Sequence, residues 1–275
     1  FSNLCSWRFL YDTQFAVIDD FLVFKFWAGE QLAYMMPVGN GDLKAVLRKL
    51  IEDADKEKHN FCMLGVCSNM RADLEAILPE RFIFTEDRAY ADYIYLRSDL
   101  ATLKGKKFQA KRNHINRFRN TYPDYEYTPI TPDRIQECLD LEAEWCKVNN
   151  CDQQEGTGNE RRALIYALHN FEALGLTGGI LHVNGKIVAF TFGMPINHET
   201  FGVHVEKADT SIDGAYAMIN YEFANRIPEQ YIYINREEDL GIEGLRKAKL
   251  SYQPVTILEK YMACLKDHPM DMVRW

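Results

Sequence analysis

"GILHVNGKIVAFTFG" occupies residues 179–193. Two apolar runs flank Asn184-Gly185, and Asn-Gly is the strongest short-range hairpin signal because both central residues of a type I′ turn need positive φ. The stretch predicts two antiparallel strands, and its flanks decide the fold class. Upstream, "TPDRIQECLDLEAEWC" (131–146) offers Thr131 as cap and Pro132 at the first helical position. Ile135, Cys138, Leu139, Trp145 and Cys146 share one face of that helix. A second helix is predicted over 159–175, with Leu164, Ala167, Leu168 and Phe171 facing inward and Gly175 ending it. Downstream come a third strand (199–207), a helix (214–226), a strand (231–237), a helix (241–250) and a last strand (254–264). Helices, then antiparallel strands, then alternating helix and strand place the chain in the α+β (mixed α/β) class, not in a regular βαβ repeat.

The first half has a similar grammar. Residues 14–38 predict two or three antiparallel strands with Gly29 at one turn. Asp42 caps a helix that carries Leu43, Val46, Leu47 and Leu50 at helical spacing. A buried strand (61–67), a short helix (70–78) and a strand (90–100) follow. The expected division is therefore a first domain at 1–103, a basic helix and connecting segment at 104–128, and a second domain at 129–275.

The chain has 275 residues, 47% of them apolar, and a formal charge of −8, enough apolar material for a real core and none of the signs of disorder. No apolar run approaches the roughly 18 residues that span a bilayer. The first residue is Phe1 rather than Met, which leaves open what precedes it. Seven cysteines with no C-x-x-C pair read as reduced thiols of a cytoplasmic protein. Charge is unevenly placed. Residues 104–119, "KGKKFQAKRNHINRFR", hold seven Lys and Arg and no acid, leaving 25 Lys and Arg against 40 acids, net −15, elsewhere. A protein so acidic does not coat nucleic acid indiscriminately, and any polyanion must be met locally.

Three words carry a family resemblance: "GKKFQAKRNHINRF" (105–118), "HVEKADTSIDGAYAMINYEF" (204–223) and "NREEDLGIEGLRKAKLSYQP" (235–254). They resemble an uncharacterised bacterial family related to the C-terminal domain of phosphatidylglycerol lysyltransferases. That domain is similar to the Fem-type aminoacyltransferases, which join two GNAT-like domains in tandem. The resemblance implies two such domains, each a mainly antiparallel sheet flanked by helices. It also implies transfer of an amino acid from aminoacyl-tRNA to a lipid headgroup or amine acceptor, with at most peripheral membrane contact. One departure stands out. Ordinary GNAT enzymes cradle the pyrophosphate of acyl-CoA in a glycine-rich loop at a helix N-terminus. The matching "EKADTSIDGAYA" (206–217) keeps Gly214 but has Asp209 and Asp213, which repel a pyrophosphate. Acyl-CoA is thus disfavoured, and no other cofactor or metal is implied.

The candidate residues follow from chemistry. On a helix, Lys111 falls within the apolar face formed by Phe108, Ile115, Phe118 and Tyr122, so it snorkels outward or points at a ligand. With Lys106, Lys107, Arg112, His114 and Arg117 it makes either a solvated linker helix or a phosphate-binding surface; the missing acids favour the second. Strand alternation in "FGVHVEK" (201–207) puts His204 and Glu206 on one face, opposite Phe201, Val203 and Val205, as a candidate acid–base pair. As a metal site, a lone H-x-E is weak. Asn235, Arg236, Glu237, Glu238 and Asp239 end a strand that leads into a helix, where α/β folds place polar site residues. Glu238 and Asp239 are candidate catalytic acids and a possible seat for a cationic aminoacyl group. Asn235, Arg236, Arg246, Lys247 and Lys249 are candidate substrate or phosphate ligands. The polar loop 149–160 adds Asp152 and Glu155 as acceptor contacts. Three functions remain in view: an aminoacyl or acyl transferase, an acyl-CoA-dependent N-acyltransferase, and a non-catalytic module binding RNA or anionic lipid.

Overall fold

Asn184 and Gly185 take φ of 52° and 72°, the pair of positive values that a type I′ turn requires, and the hairpin forms as expected. The computed structural model describes residues 2–149 and 155–266. In chain order the elements begin with α1 (Ser2–Ser6), α2 (Arg8–Tyr11), β1 (Gln14–Ile18), β2 (Phe21–Ala28), β3 (Gln31–Tyr34) and β4 (Val38–Gly39). Then come α3 (Leu43–Lys56), β5 (Cys62–Val66), α4 (Ser68–Ile77), β6 (Phe82–Glu86), β7 (Asp92–Leu96) and α5 (Arg97–Thr102). After a 3₁₀ turn at Lys106–Phe108 follow α6 (Gln109–Thr121), β8 (Glu126–Pro129), α7 (Ile135–Asn149) and α8 (Glu155–His169). The hairpin strands are β9 (Thr177–Val183) and β10 (Lys186–Pro195), followed by β11 (Thr200–Ala208) and α9 (Ala215–Arg226). The last elements are β12 (Tyr233–Asn235), α10 (Glu243–Leu250), β13 (Thr256–Leu258) and β14 (Tyr261–Leu265).

The chain forms two compact units, each with one mixed, mainly antiparallel sheet. Their boundaries are not a single cut. Among the described residues, one unit holds 7–91 and 258–266; the other holds 2–6 and those of 92–257. Residues 92–103 thus leave the expected first domain, because β7 pairs with β12. Residues 258–266 leave the expected second, because β14 pairs with β5 and β6. The expected last strand (254–264) is accordingly two strands in two sheets. Hydrophobic patterning could not show this, since both pieces look alike to a period-2 reading.

In the first unit the order is β1-β2-β3-β5-β14-β6, with β4 on β2. Asp42 caps α3 by accepting from the Ala45 N–H at 3.1 Å. Val46, Leu47, Leu50, Ile51 and Ala54 of that helix bury against Leu32, Tyr34, Met63 and Phe82. Cys62 and Cys264 face each other across β5 and β14 and are joined by a disulfide. This corrects the reading of seven reduced thiols. The pair is 202 residues apart in sequence, a proximity that only the sheet reveals.

In the second unit the order is β13-β7-β12-β11-β10-β9-β8. Leu164, Leu168 and Cys138 of α7 and α8 pack with Phe190 and Phe192 on one side of it. Phe108, Ile115 and Phe118 of the basic segment pack with Ala215, Met218 and Ile219 of α9 and with Leu181 and Ala189. Phe108 and Phe118 of that segment therefore belong to the core.

Candidate active site

Two features of β11 open a site in the second unit. β11 pairs with β12 in parallel only from Thr200↔Tyr233 to Gly202↔Asn235, and the chain after Asn235 then turns away. Opposite β10, Phe192 faces Val205 and Gly193 faces Val203, so His204 is the extra residue of a β-bulge. The bulge breaks the expected alternation. Phe201 and Val203 pack with Phe223, whereas Val205 packs with the Phe190–Phe192 cluster. His204 and Glu206 therefore go to different partners instead of pairing with each other.

Glu206 accepts from Arg236 Nη2 at 3.0 Å through one oxygen and from Asn220 Nδ2 at 3.1 Å through the other. Arg236 Nη1 and Asn220 Oδ1 are buried with no hydrogen-bond partner among the described residues. The Arg236 guanidinium lies 4.9 Å from the Tyr252 ring centroid and 5.8 Å from that of Tyr95. Lys111 reaches the same cluster from α6, its ammonium 3.8 Å above the Tyr252 ring. Burial, then the nearby Arg236 charge, push the Lys111 pKa down to about 8, against an opposing pull from Glu206. The sequence reading placed Lys111, Glu206 and Arg236 near a ligand, and the structure brings them together.

His204 takes a neighbouring position. Its Nδ1 lies 2.7 Å from Glu237 Oε1 and its Nε2 3.0 Å from Ser2 Oγ of α1. Asn3 Nδ2 donates to the same Glu237 oxygen at 2.6 Å. The turn that carries Glu237 is braced by Lys249, whose Nζ donates to the carbonyls of Arg236, Glu237 and Glu238 at 2.5, 3.2 and 2.6 Å. Burial pushes the Lys249 pKa down to about 8. Asn235 donates to Asp92 at 2.9 Å and accepts from the Glu237 N–H at 2.7 Å.

Other expected ligands are committed elsewhere. Asp239 is fully buried, accepting from Arg246 Nε and Nη2 at 2.8 and 2.9 Å, from the Tyr93 hydroxyl at 2.5 Å and from the Gly241 N–H at 2.8 Å. The Arg246 hydrogen bonds hold its carboxyl far below the usual carboxylate range. Asp239 is thus an anchor rather than a catalytic acid, and Arg246 holds that anchor rather than a phosphate. Asp239 is thereby closed to a cationic aminoacyl group, and Glu238 lies half-buried on the turn. Arg112 bonds the Leu103 and Gly105 carbonyls and Gln109, closing the turn before α6. Lys107 pairs with Asp99 at 2.8 Å. Arg117 pairs with Asp213 at 2.8 Å and bonds His114 at 3.1 Å. Lys106 and Lys247 are exposed, with no ion pair among the described residues. Asp152 lies outside the described residues, and for Glu155 only the backbone, at the start of α8, is described.

The sequence reading missed Asn220, Tyr252, Tyr95 and the Ser2–Asn3 contacts. Tyr252 stands in the word "SYQP", and its signal was present. Asn220 is a buried polar residue of α9, and its burial is visible only once the helix is oriented.

The family model for the C-terminal region of phosphatidylglycerol lysyltransferase matches residues 1–264. An uncharacterized protein of Mycoplasmoides gallisepticum is 25% identical over 177 residues, covering 62% of this chain and 55% of that protein. The chain thus spans about half the length of the curated relative it matches. Among solved structures, the C-terminal domain of a putative lysylphosphatidylglycerol synthetase from Agrobacterium fabrum is similar with a TM-score of 0.72. The identity is 13%, covering 97% of this chain and 87% of that one. L-PGS from Bacillus licheniformis gives 0.67 at 18% identity, covering 98% and 88%.

Proposed function

This chain belongs to the phosphatidylglycerol lysyltransferase C-terminal family, and from that premise we propose that it is an aminoacyl transferase. It moves an aminoacyl group from the ester of a charged tRNA to a lipid headgroup or amine acceptor. One observation carries this reading: the buried Arg236 donor and Asn220 acceptor that stand unpartnered on either side of Glu206. An α-aminoacyl ester bears an acceptor carbonyl and a donor ammonium on adjacent carbons, and it can satisfy both groups at once. Arg236 Nη1 would polarise the ester carbonyl and gather the charge that develops there. Glu206 and Asn220 Oδ1 would hold the ammonium. Lys111, the one basic-helix cation described above at this cluster, would face the phosphate side of the donor. The ester is already activated, so positioning and electrostatics suffice without a covalent enzyme intermediate.

An acyl-CoA donor fits less well. Gly214 opens α9 with φ 84°, and a Cβ there would come within 3.0 Å of the His114 carbonyl oxygen of α6. The helix N-terminus that would receive a pyrophosphate is therefore packed under α6, beside Asp213 and its partner Arg117. The test is transfer of radiolabelled amino acid from lysyl- or alanyl-tRNA to phosphatidylglycerol vesicles or small amines. Turnover, at least tenfold slower in Arg236→Lys, is expected. A full donor and acceptor panel without turnover overturns the reading. Micromolar acetyl-CoA binding by calorimetry would favour the acyl-CoA alternative instead. Binding of RNA or anionic vesicles that falls steeply with salt, without transfer, would mark a binding module.

A further inference from the structure

We propose that Glu237, and not the imidazole beside it, is the catalytic residue that takes the proton from the attacking group; this rests on the transferase reading above. Glu237 has φ 59°, in the left-handed region that residues other than glycine seldom adopt. The fold holds it there on every side. Asn235 Oδ1 accepts its N–H, Lys249 donates to its carbonyl and to both neighbouring ones, and the Tyr93 N–H also donates to that carbonyl at 3.2 Å. Strain that the surroundings maintain at a splayed strand end is a mark of a functional turn.

The conformation aims one side chain. Glu237 Oε1 receives His204 Nδ1 at 2.7 Å and Asn3 Nδ2 at 2.6 Å, while Oε2 accepts no hydrogen bond among the described residues. Both orienting groups thus act on a single oxygen and leave the lone pairs of the other free. Exposure runs the same way. The Glu237 side chain is 27% exposed, that of His204 10%, and Ser2 as a residue only 2%. Exposure thus falls from carboxylate to imidazole to hydroxyl, and both imidazole nitrogens are engaged, one by Glu237 and one by Ser2. With Nδ1 protonated, His204 donates to Glu237, and its Nε2 accepts from the Ser2 hydroxyl. His204, Asn3 and Ser2 are positioning residues.

The step balances without a further reagent. A neutral amine or a hydroxyl of the acceptor attacks the ester carbonyl carbon, forming the new C–N or C–O bond. Its proton passes to Glu237 Oε2. Collapse of the tetrahedral intermediate breaks the ester C–O bond, and the proton on Oε2 goes to the departing hydroxyl oxygen, restoring the carboxylate.

The experiment measures transfer from lysyl-tRNA to phosphatidylglycerol vesicles, or with the donor and acceptor pair that the wild type turns over, for Glu237→Ala, Glu237→Gln and Glu237→Asp. In Glu237→Ala and Glu237→Gln, kcat is expected to fall about 100-fold or more with KM within about threefold, the size of a general-base contribution. Added formate is expected to rescue Glu237→Ala but not Glu237→Gln, a response that loss of a merely structural tether would not give. Glu237→Asp is expected to retain part of the rate. Glu237→Gln is isosteric and carries the test should the Ala variant fail to fold. An active wild type with kcat of Glu237→Gln within about threefold of it, or no formate rescue of a folded Ala variant, overturns the role alone. A wild type inert with every pair overturns the transferase reading and this role with it.

Discussion

Arg236 and Glu206 form a part-buried ion pair at 3.0 Å, with side-chain exposures of 12% and 14%, at the point where β11 and β12 part. Nη2 closes the pair, and Nη1 is buried with no hydrogen-bond partner among the described residues. A buried pair is poor evidence of added stability, but removing one partner strands the other charge. Arg236→Met is therefore expected to lower unfolding stability by about 3–5 kcal/mol in denaturant titration. Arg236→Lys keeps the charge but loses the planar fork, so it should fold while transfer drops at least tenfold. Equal activity of the Lys variant would mean that the second nitrogen meets no substrate.

Lys111 gives a pH signature. Its pKa of about 8, set mainly by burial, makes it a cation below that pH and neutral above it. Binding of the anionic donor should weaken as pH rises through about 8, and Lys111→Arg, charged throughout, should flatten the profile. Stability moves the opposite way. The unfolded lysine holds its proton to about 10.4, so between about 8 and 10.4 the unfolded state binds more protons and stability rises with pH. Lys111→Met should remove its share of that rise, while Lys249, also pushed down to about 8, keeps its own. Urea midpoints at pH 7 and pH 10 measure it; an unchanged difference in Lys111→Met would refute the assignment.

Asp239 separates what could be read in the chain from what could not. The motif 235–254 pointed to the strand end that carries Arg236 and Glu237, because a run of charge at a strand end is a local signal. Which of three adjacent acids stays available is not local. Asp239 is neutralised by an arginine seven residues on and by Tyr93 from a distant strand, and Glu237 is turned outward by a left-handed backbone. The bulge at His204 likewise arises from register against β10, which no period-2 reading contains. Lys111 was legible because a lone lysine inside an apolar helix face must go somewhere specific. Asp239→Asn should therefore act on stability, by about 2 kcal/mol from weakened charged hydrogen bonds. Since its folded pKa is depressed, the wild-type contribution is present above the ordinary carboxylate pKa of about 4 and fades as pH falls below it. Stability loss in Asp239→Asn at pH 7 that shrinks toward pH 3 is the expected result of thermal melts.

The Cys62–Cys264 disulfide closes a loop of about 200 residues onto the first unit's sheet, tying β14 to β5. Constraining the unfolded chain in this way typically stabilises by about 2–4 kcal/mol. Cys264→Ser should lower the melting temperature under oxidising conditions and make it insensitive to dithiothreitol, whereas the wild type should fall toward the variant on reduction. A wild-type melting temperature that ignores reductant would show that the bond contributes nothing.

Gly214 tests whether the seat of α6 matters to the site. Its φ of 84° is one that an L side chain rarely adopts, and an added Cβ would approach the His114 carbonyl oxygen to 3.0 Å and Phe118 Cβ to 3.2 Å. His114 and Phe118 lie on the same helix as Lys111, one turn and two turns beyond it. Gly214→Ala has to strain the turn or lift α6 from α9, so a loss of about 1–2 kcal/mol is expected from the backbone alone. Lifting α6 would also draw the Lys111 ammonium off the Tyr252 ring and return it to water, raising its pKa toward the ordinary value. The donor-binding transition near pH 8 should then move upward in Gly214→Ala even where the protein remains folded. A destabilised variant that keeps the transition at about 8 would separate the packing of α6 from the electrostatics of the site.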